Sequence, residues 1–251
     1  MLLKDKVAII TGGGKGIGKV YAQHFAKEGA LVVTADIDGE AAAQAAAEIE
    51  RAGGRALGVK VDISSEESVK RMVEQTVEAF GTVDILINNA SLMSTLPRRP
   101  WHEIPLDEWD RVMAVNLRGM FLTCLAVYPV MKQKRSGKIV NISSGRIFDG
   151  TPNRLHYTTS KAGVVGFTRA LARELGEDNI NVNTVTPGLT LSDTQVASSD
   201  SNYVKWQNDK RSFKRSQVPE DLVGTVIFLA SPASDFITGQ MINVDGGWNM
   251  H

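Results

Sequence analysis

Short apolar runs alternate along the chain with segments of helical periodicity, and this alternation limits the possible folds more than any other feature of the sequence. Strands are predicted at residues 7–11, 31–35, 56–61, 83–87, 138–143, 180–186 and 240–244. Most of these runs are continuously apolar, which is typical of strands that are covered on both faces. Helices are predicted at residues 17–28, 40–52, 66–80, 106–131 and 155–177. The pattern therefore predicts a doubly wound α/β fold, in which helices cover both faces of a mostly parallel seven-stranded sheet.

No linker or repeat divides the chain, so residues 1–251 are predicted to form one domain. Gly29 and Gly53 follow two of the predicted helices, where a left-handed cap would end each of them. Pro129 is expected to end or kink the helix at residues 106–131. The segment 189–217 does not follow the alternation, because it is polar at first and then basic. Such segments form lids or substrate loops in compact domains, with solvated surface as an equal alternative.

Composition and charge exclude several classes of function. The chain holds 28 Lys and Arg residues and 28 Asp and Glu residues, so no overall field would attract nucleic acid or an anionic membrane. Its single cysteine, Cys124, cannot form an internal disulfide and is expected to be a core residue. The N-terminus does not resemble a signal peptide, and no run reaches about 18 apolar residues. We expect a cytoplasmic protein that is not membrane-embedded, and the sequence indicates no metal site.

A glycine-rich turn lies between the first predicted strand and the first predicted helix. It reads Thr11-Gly12-Gly13-Gly14-Lys15-Gly16-Ile17-Gly18. Glycine tolerates positive φ and lacks a Cβ, so the backbone of such a turn can approach a pyrophosphate and direct helix N-terminal amides at its charge. A glycine-rich turn alone is weak evidence, but its place after a strand and before a helix favours dinucleotide binding.

Two charged residues bear on which dinucleotide this turn binds. Asp36 ends the second predicted strand, 18 residues after Gly18, near the spacing of an acid that accepts hydrogen bonds from the adenosine ribose. A carboxylate there would also repel the 2′-phosphate of NADP, by about 4 kcal/mol at about 4 Å and an effective dielectric constant of about 20. Lys15 favours NADP instead, because its ammonium could pair with that phosphate. We predict NAD on the strength of Asp36, whose alternative role is a helix cap or turn residue.

Further motifs follow the glycine turn in a set order. They are Asn88-Asn89-Ala90 after the fourth predicted strand, Ser144 after the fifth, Tyr157-x-x-x-Lys161 and Pro187-Gly188. With these motifs the chain resembles the short-chain dehydrogenase/reductase family over essentially its whole length. The resemblance implies a Rossmann fold, a nicotinamide dinucleotide cofactor and an oxidoreductase that transfers a hydride.

The resemblance also implies which residues bind the cofactor. At the glycine turn and the ribose these are Gly12, Lys15, Gly16, Ile17, Gly18 and Asp36. Later in the chain they are Asp62, Ile63, Asn89, Ala90, Tyr157, Lys161, Pro187, Gly188 and Thr190. Asp62 has an alternative role as a strand-end cap. The family's usual Asn-Asn-Ala-Gly reads Asn-Asn-Ala-Ser here, so Ser91 departs from the pattern.

Tyr157 and Lys161 are four residues apart, so on a helix their side chains lie on one face. A phenol with a pKa of about 10 is a poor base at neutral pH, and a nearby ammonium favours the phenolate. We therefore predict that Lys161 lowers the pKa of Tyr157 toward the working range, so that Tyr157 can act as the acid/base of the reaction. In the family, the corresponding lysine also holds the nicotinamide ribose.

Two more residues match catalytic positions of the family. Ser144 lies 13 residues before Tyr157 and matches the serine that hydrogen-bonds to the substrate oxygen, with its neighbour Ser143 as the alternative. Asn116 matches an asparagine that supports a water and Lys161 in a proton relay. An asparagine inside a helix is unfavourable without a partner, which indicates a specific role. The catalytic set implied by the resemblance is Asn116, Ser144, Tyr157 and Lys161.

These residues predict an NAD(H)-dependent oxidoreductase that interconverts a secondary alcohol and a ketone. In the oxidative direction Tyr157 takes the alcohol proton, Ser144 stabilises the charge that develops on oxygen, and the hydride passes to C4 of the nicotinamide. One rival is an NADPH-dependent 3-oxoacyl thioester reductase of the same family, favoured by Lys15 and by surface arginines. Another is a non-catalytic dinucleotide-sensing protein, which the presence of all four catalytic positions argues against.

The substrate pocket is expected to form from three loops that follow strands, at residues 91–101, 145–156 and 189–217. The first two loops contain Arg98, Arg99, Arg146 and Arg154. Arginine can bind a carboxylate, sulfonate or phosphate through paired hydrogen bonds, although solvated surface charge is the alternative for each. Because Arg146 lies two residues after Ser144, we predict that both contact the substrate with Tyr157 and that the substrate is anionic. His156 need not share the helix face of Tyr157, so it is not predicted to be catalytic.

The resemblance also bears on assembly. The family forms dimers or tetramers, partly through helices that correspond to residues 106–131 and 155–177. We therefore expect a homotetramer.

Overall fold

The computed structural model describes residues 1–193 and 201–250. Its strands are β1 (Val7–Thr11), β2 (Leu31–Asp36), β3 (Arg55–Lys60), β4 (Ile85–Asn88), β5 (Gly137–Ile142), β6 (Ile180–Pro187) and β7 (Met241–Val244). They form one sheet in the order β3-β2-β1-β4-β5-β6-β7. Every neighbouring pair is parallel. The predicted parallel sheet of seven strands is confirmed.

Helices connect the strands. They are α1 (Gly16–Lys27), α2 (Gly39–Arg51), α3 (Glu66–Phe80), α4 (Leu106–Met113), α5 (Met120–Gln133), α6 (Arg146–Asp149), α7 (Leu155–Leu175), α8 (Ser201–Lys210) and α9 (Glu220–Ala230). A π-helical turn at Ala114–Gly119 joins α4 to α5, so that residues 106–133 form one continuous helix. The predicted doubly wound α/β fold is therefore confirmed.

Two apolar clusters form the core, one on each face of the sheet. The first contains Phe25 of α1 and Val226 of α9, which pack with Ile10 of β1. The second contains Val127 of α5, which packs with Ile9 of the same strand. Successive side chains of a strand point to opposite faces, so β1 is buried on both sides. Burial on both sides explains why the strands read as continuous apolar runs.

Most of the predicted helix ends agree with the structure. Gly29 and Gly53 take left-handed φ values of 89° and 86° after α1 and α2. Pro129 does not end its helix, because α5 continues to Gln133. Within the segment 189–217, helix α8 was not predicted, and residues 194–200 lie outside the described residues.

The continuous helix at residues 106–133 is long and apolar enough, by length and composition alone, to cross a membrane. The core helix of a soluble protein passes the same test, and 44% of its most apolar window is buried within the fold. Cys124, Val127 and Met131 of this helix belong to the second apolar cluster. These contacts make the helix part of the core.

A chain of buried polar side chains crosses the sheet. Asn88 donates a hydrogen bond to Asn141 (2.9 Å), and Asn141 donates to Thr168 of α7 (2.9 Å). Thr184 of β6 also donates to Thr168 (2.7 Å), and Thr123 of α5 donates to Asn88 (2.6 Å). Buried polar groups are costly unless they are paired. This network therefore fixes how β4, β5 and β6 lie against the helices on one face.

Two substitutions test the network. Asn141→Leu leaves the Asn88 amide with a sulfur acceptor only, the thiol of Cys124, so we expect the free energy of unfolding to fall by about 2–4 kcal/mol. Thr184→Val is nearly isosteric and removes one donor at the end of the network, so we expect a loss of about 1 kcal/mol or less. Urea unfolding followed by circular dichroism measures both losses. Equal losses of unfolding free energy in the two variants would contradict the prediction that Asn141 contributes more than Thr184.

Candidate active site

A cleft of about 430 Å³ opens at the carboxyl ends of the strands. Strands β1 and β4 are neighbours there although they are not consecutive, and ligands of doubly wound sheets bind where the strand order reverses in this way. The cleft is lined by every residue predicted to bind the cofactor, and also by Ser144 and Arg146. The lining of the cleft thus includes residues from all six connections between the seven strands.

The glycine turn lies against the segment that follows β4. A Cβ added to Gly18 would lie 2.0 Å from the carbonyl oxygen of Gly12 and 2.6 Å from Nδ2 of Asn89, so only glycine can occupy this position. Gly12 and Gly16 have positive φ values of 64° and 57°. Helix α1 begins without a side-chain cap at Lys15, which leaves its first amides to other acceptors. A turn without Cβ atoms at an uncapped helix N-terminus suits a pyrophosphate.

Hydrogen bonds hold this turn to β4. The amides of Asn89 and Ala90 both donate to Oγ1 of Thr11, at 3.0 and 3.1 Å. The side-chain amide of Asn89 donates to the carbonyl oxygen of Thr11 (3.0 Å). Asn89 therefore links the end of β4 to the end of β1 by hydrogen bonds.

Asp36 lies at the predicted ribose end of the cleft, and a second acid, Asp38, lies beside it without lining the cleft. Asp36 accepts hydrogen bonds from the amides of Gly14 (3.0 Å) and Asp38 (3.1 Å), so it also has the turn-stabilising role given as its alternative. Lys15 pairs with Asp38 at 2.6 Å, and this hydrogen bond raises the pKa of Lys15 and lowers the pKa of Asp38. Sequence reasoning missed Asp38, although an acid before the helix at Gly39 is a usual N-cap, and Asp38 does accept from Ala41.

The predicted catalytic pair, Tyr157 and Lys161, lies on the buried face of α7. Tyr157 and Lys161 are 6% and 3% exposed, and Nζ of Lys161 lies 5.8 Å from the centre of the Tyr157 ring. Lys161 donates to the carbonyl oxygen of Ile142 (2.8 Å). The Ser143 hydroxyl is used within the fold, because it donates to the carbonyl oxygen of Lys161 (2.7 Å). Ser144, in contrast, lines the cleft and lowers the pKa of the Tyr157 hydroxyl, which favours it over its neighbour.

The electrostatics of Tyr157 differ from the prediction. Burial raises the pKa of Tyr157, and it outweighs the hydrogen bond from Ser144 and the charges of Arg146 and Arg154, each of which lowers that pKa. Burial also lowers the pKa of Lys161 to about 8. The predicted net lowering of the Tyr157 pKa is therefore not confirmed, and the positive charges that do lower this pKa are those of Arg146 and Arg154 rather than that of Lys161.

Asn116 lies in the π-helical turn behind the cleft. Its amide accepts from the backbone N–H of Leu92 (2.8 Å) and donates to the Leu92 carbonyl oxygen (3.2 Å) and to Oγ of Ser160 (3.0 Å). Asn116 thus fixes the segment after β4 against α7, which supplies the partner that an asparagine inside a helix needs. A relay through water to Lys161 stays a prediction. Departures from α-helical geometry of this kind are frequent at functional sites.

Arg99 and His156 lie outside the cleft lining. Arg99 is 3.6 Å from Glu108, and His156 is 3.2 Å from the same carboxylate. Burial lowers the pKa of His156. Both residues connect α4 to neighbouring segments, so neither is part of the candidate site.

Asp62 and Thr190, two other residues predicted to bind the cofactor, also form local hydrogen bonds. Oδ1 of Asp62 accepts hydrogen bonds from the amide (2.9 Å) and the hydroxyl (2.6 Å) of Ser64. This oxygen therefore has the role of a strand-end cap, which was the alternative given for Asp62. Thr190 donates to the carbonyl oxygen of Gly188 (3.1 Å) and is 5% exposed. Both residues line the cleft.

Sequence reasoning missed part of the wall at the substrate end. Trp248 and Asn249 near the C-terminus line the cleft without having been predicted, whereas Tyr203 and Gln207 of α8 line it from within the predicted substrate segment 189–217. Trp206 connects the two segments, since its ring lies 5.9 Å from Tyr203 and 5.0 Å from Trp248. No sequence motif marks these positions. The signal that could have indicated them is the presence of Trp206 and Trp248 in otherwise polar segments.

A family model described as enoyl-(acyl carrier protein) reductase matches residues 12–249. The chain is 40% identical over 249 residues to (2S)-[(R)-hydroxy(phenyl)methyl]succinyl-CoA dehydrogenase subunit BbsD of Thauera aromatica, covering 98% of each chain. It is 36% identical to the 3-oxoacyl-[acyl-carrier-protein] reductase FabG of Chlamydia trachomatis, over 98% of each. The chain belongs to the short-chain dehydrogenase/reductase family. This short-chain dehydrogenase is therefore an oxidoreductase of a family that uses a nicotinamide dinucleotide.

The relatives of this short-chain dehydrogenase differ in what their names say they act on. A third, the probable galactose dehydrogenase GalD of Rhizobium meliloti, is 35% identical over 98% of this chain and 95% of its own. The names therefore cover a CoA thioester, an acyl-carrier-protein thioester and a sugar. Family membership alone does not select a substrate.

Cofactor preference is tested by Asp36→Ser. Removal of the carboxylate should strengthen NADPH binding relative to NADH by about ten- to a thousandfold, because the repulsion of a 2′-phosphate is lost. Dissociation constants from nicotinamide fluorescence measure this ratio without a substrate. Glu40→Gln is the matched control, since Glu40 is an exposed acid of the first turn of α2 that does not line the cleft. An unchanged ratio in Asp36→Ser would contradict the assignment.

Proposed function

We propose that this short-chain dehydrogenase is NAD(H)-dependent and interconverts a secondary alcohol and a ketone, with Tyr157 as the acid/base. The observation that best supports the proposal is the buried Tyr157 hydroxyl beside Ser144, in the same cleft that the glycine turn borders. NAD supplies the hydride chemistry at C4 of its nicotinamide when bound. The remaining steps are the work of the protein's own side chains.

Ser144 and Tyr157 form the part of the site that handles the proton. Oγ of Ser144 accepts from the amide of Arg146 (3.3 Å), and its own hydroxyl proton can be donated to Tyr157 or to a substrate oxygen in the cleft. In oxidation the Tyr157 phenolate takes the hydroxyl proton of the alcohol while the carbon-bound hydride leaves for the cofactor. In reduction the Tyr157 phenol returns that proton to the oxygen of the ketone.

The preference for NAD is supported by the charges at the ribose end. The argument for NADP depended on a free Lys15 ammonium, and this ammonium pairs with Asp38. The side chain of Asp36, in contrast, lies beside the glycine turn and accepts a hydrogen bond from the amide of Gly14. The second candidate, an NADPH-dependent 3-oxoacyl thioester reductase, is favoured by relatives of that name at 36% and 37% identity. Its preferred cofactor would meet the carboxylate of Asp36 here.

Tyr157→Phe tests the role of the phenol. We expect kcat to fall by about 10²- to 10⁴-fold, whereas NADH binding should change by less than about twofold. A cofactor-coupled screen over alcohols and ketones provides the assay. Tyr128→Phe is the matched control, because the Tyr128 hydroxyl donates to Asp178 outside the cleft.

The pH profile gives the second half of this test. Because the pKa of Tyr157 is raised, the phenolate is scarce near neutral pH. Alcohol oxidation should therefore accelerate as pH rises toward that pKa, and ketone reduction should slow over the same range as the phenol loses its proton. Near-full turnover by Tyr157→Phe, with the same pH profile, would refute the assignment.

We also propose that the protein is a homotetramer with interfaces along α4, α5 and α7. Helix α5 leaves Phe121 and Leu125 each 48% exposed, and Leu125 lies with Leu122 and Pro129 in a shallow apolar groove beside α3. Exposed apolar patches mark association surfaces.

Light scattering should give the mass of four chains for the unaltered protein. Leu125→Glu places a charge in the groove and should shift the mass toward a smaller assembly, because burying an unpaired carboxylate is costly. Circular dichroism checks that the variant is folded. A monomer mass for the unaltered protein at working concentration would overturn the proposal.

A further inference from the structure

Three arginines, Arg98, Arg146 and Arg154, line the cleft that contains Tyr157. We call them the arginine cluster. Burial lowers the pKa of Arg154, and the charges of Arg146 and Arg98 lower it further, so the guanidinium groups lie close enough to repel one another. Concentrated like charges are unfavourable unless an anion joins them.

Within residues 1–193 and 201–250, no member of the arginine cluster forms an ion pair. Asp149 is the acid in this part of the lining, and its Oδ1 accepts from the amide (2.8 Å) and hydroxyl (2.6 Å) of Thr151. The neighbouring Arg99 is different, because Glu108 lies 3.6 Å from it. The cluster therefore has an excess of positive charge that the described residues do not balance.

Neutral groups hold the guanidinium groups in place. Arg154 is 8% exposed, donates to the carbonyl oxygen of Leu96 (2.9 Å) and contacts the sulfur of Met93 (2.9 Å). Arg146 donates to the carbonyl oxygen of Thr151 (2.8 Å). The Nε atoms of Arg146 and Arg154 are buried without a partner. Carbonyl oxygens orient a guanidinium but leave its charge in place, so both arginines are preorganised donors.

Arg98 and several apolar side chains complete this end of the cleft. The guanidinium of Arg98 lies 5.1 Å from the ring centre of Tyr203, so it connects the segment after β4 to α8. The apolar lining here consists of Leu92, Met93, Leu189 and Trp248. A pocket with basic groups and an apolar wall suits an organic anion better than an inorganic one.

We propose that the arginine cluster binds an oxyanion of the substrate, so that the alcohol is a hydroxy acid and the ketone an oxo acid. The acid group can be a carboxylate, a sulfonate or a phosphate, which share the paired acceptor oxygens that a guanidinium binds. The inference rests on the proposed function, because Tyr157 defines where the reacting carbon lies. It extends the prediction for Arg146 to Arg154, the most buried member of the cluster, and to Arg98.

The first test measures binding without turnover, on the full-length enzyme saturated with NADH. Calorimetric titrations use succinate, propanesulfonate and glycerol 3-phosphate, each against a neutral counterpart: dimethyl succinate, propanol and glycerol. We expect at least one anion to bind about tenfold or more tightly than its counterpart, and the anion that does so identifies the acid group. If none of the three anions is preferred, the proposal is overturned.

Variants then locate the bound anion. Arg154→Met should weaken binding of the preferred anion by about ten- to a hundredfold, and Arg154→Lys, which keeps the charge, should weaken it less. Arg146→Ala provides a second variant in case Arg154→Met fails to fold, as judged by thermal unfolding. Arg51→Met is the matched control, because Arg51 is an exposed arginine of α2 that does not line the cleft. Folded variants at both positions that keep full affinity would refute the assignment.

Turnover separates this inference from the proposed function. The assay compares 3-hydroxybutyrate, 2-hydroxypropanesulfonate and glycerol 3-phosphate with methyl 3-hydroxybutyrate, 2-butanol and glycerol. A preference of about tenfold or more in kcat/KM for an acid, lost in Arg154→Met, supports the inference. Equal turnover of acids and neutral alcohols overturns it and leaves the proposed function standing. Binding of NADH and of an anion without turnover of any alcohol contradicts the proposed function and leaves the anion site standing.

Discussion

The close approach of the N-terminus of α1 to the end of β4 is the constraint on which the site depends. The space between Gly18 and the carbonyl oxygen of Gly12 is too small for a Cβ, and Thr11 and Asn89 are hydrogen-bonded across the same gap. Two strands that are far apart in the sequence therefore end at a fixed separation, with an uncapped helix N-terminus directed at the cleft. From this fixed point β2 places Asp36 on one side, and β5 places Ser144 on the other.

The five central strands could be predicted from the sequence because burial on both faces leaves a continuous apolar run, which a local pattern reveals, whereas the edge strands β3 and β7 are only partly buried. The glycine turn could be predicted because a backbone that approaches a phosphate requires glycine at fixed spacings, and the other cofactor-site residues were predicted from the resemblance to the family. The pairing of Lys15 with Asp38 could not, since it depends on the rotamers of two exposed side chains. The raised pKa of Tyr157 depends on burial by distant segments, and the wall formed by Tyr203 and Trp248 comes from parts of the chain without a motif.

The electrostatics of the cleft show how little a net charge says about a site. The chain as a whole is balanced, yet the lining of the cleft contains Asp36 beside the glycine turn and the arginine cluster on the side of Tyr157. A cleft between low-dielectric walls focuses such local charges. A zero net charge is therefore compatible with a strongly polarised cleft, in which a ligand would have one preferred orientation.

The π-helical turn between α4 and α5 keeps the buried side chains of the two helices on nearly the same face. Buried residues follow one another at four-residue steps along this helix, at Glu108, Val112, Asn116, Met120 and Cys124. In an unbroken α-helix each such step turns the side chain by about 40°, so the last position would lie about 160° around the helix from the first. One extra residue in the widened turn reduces that offset to about 60°. The insertion thus lets a single helix keep one face against both the catalytic segment and the sheet, and removing it would rotate the two halves relative to each other by roughly a quarter turn.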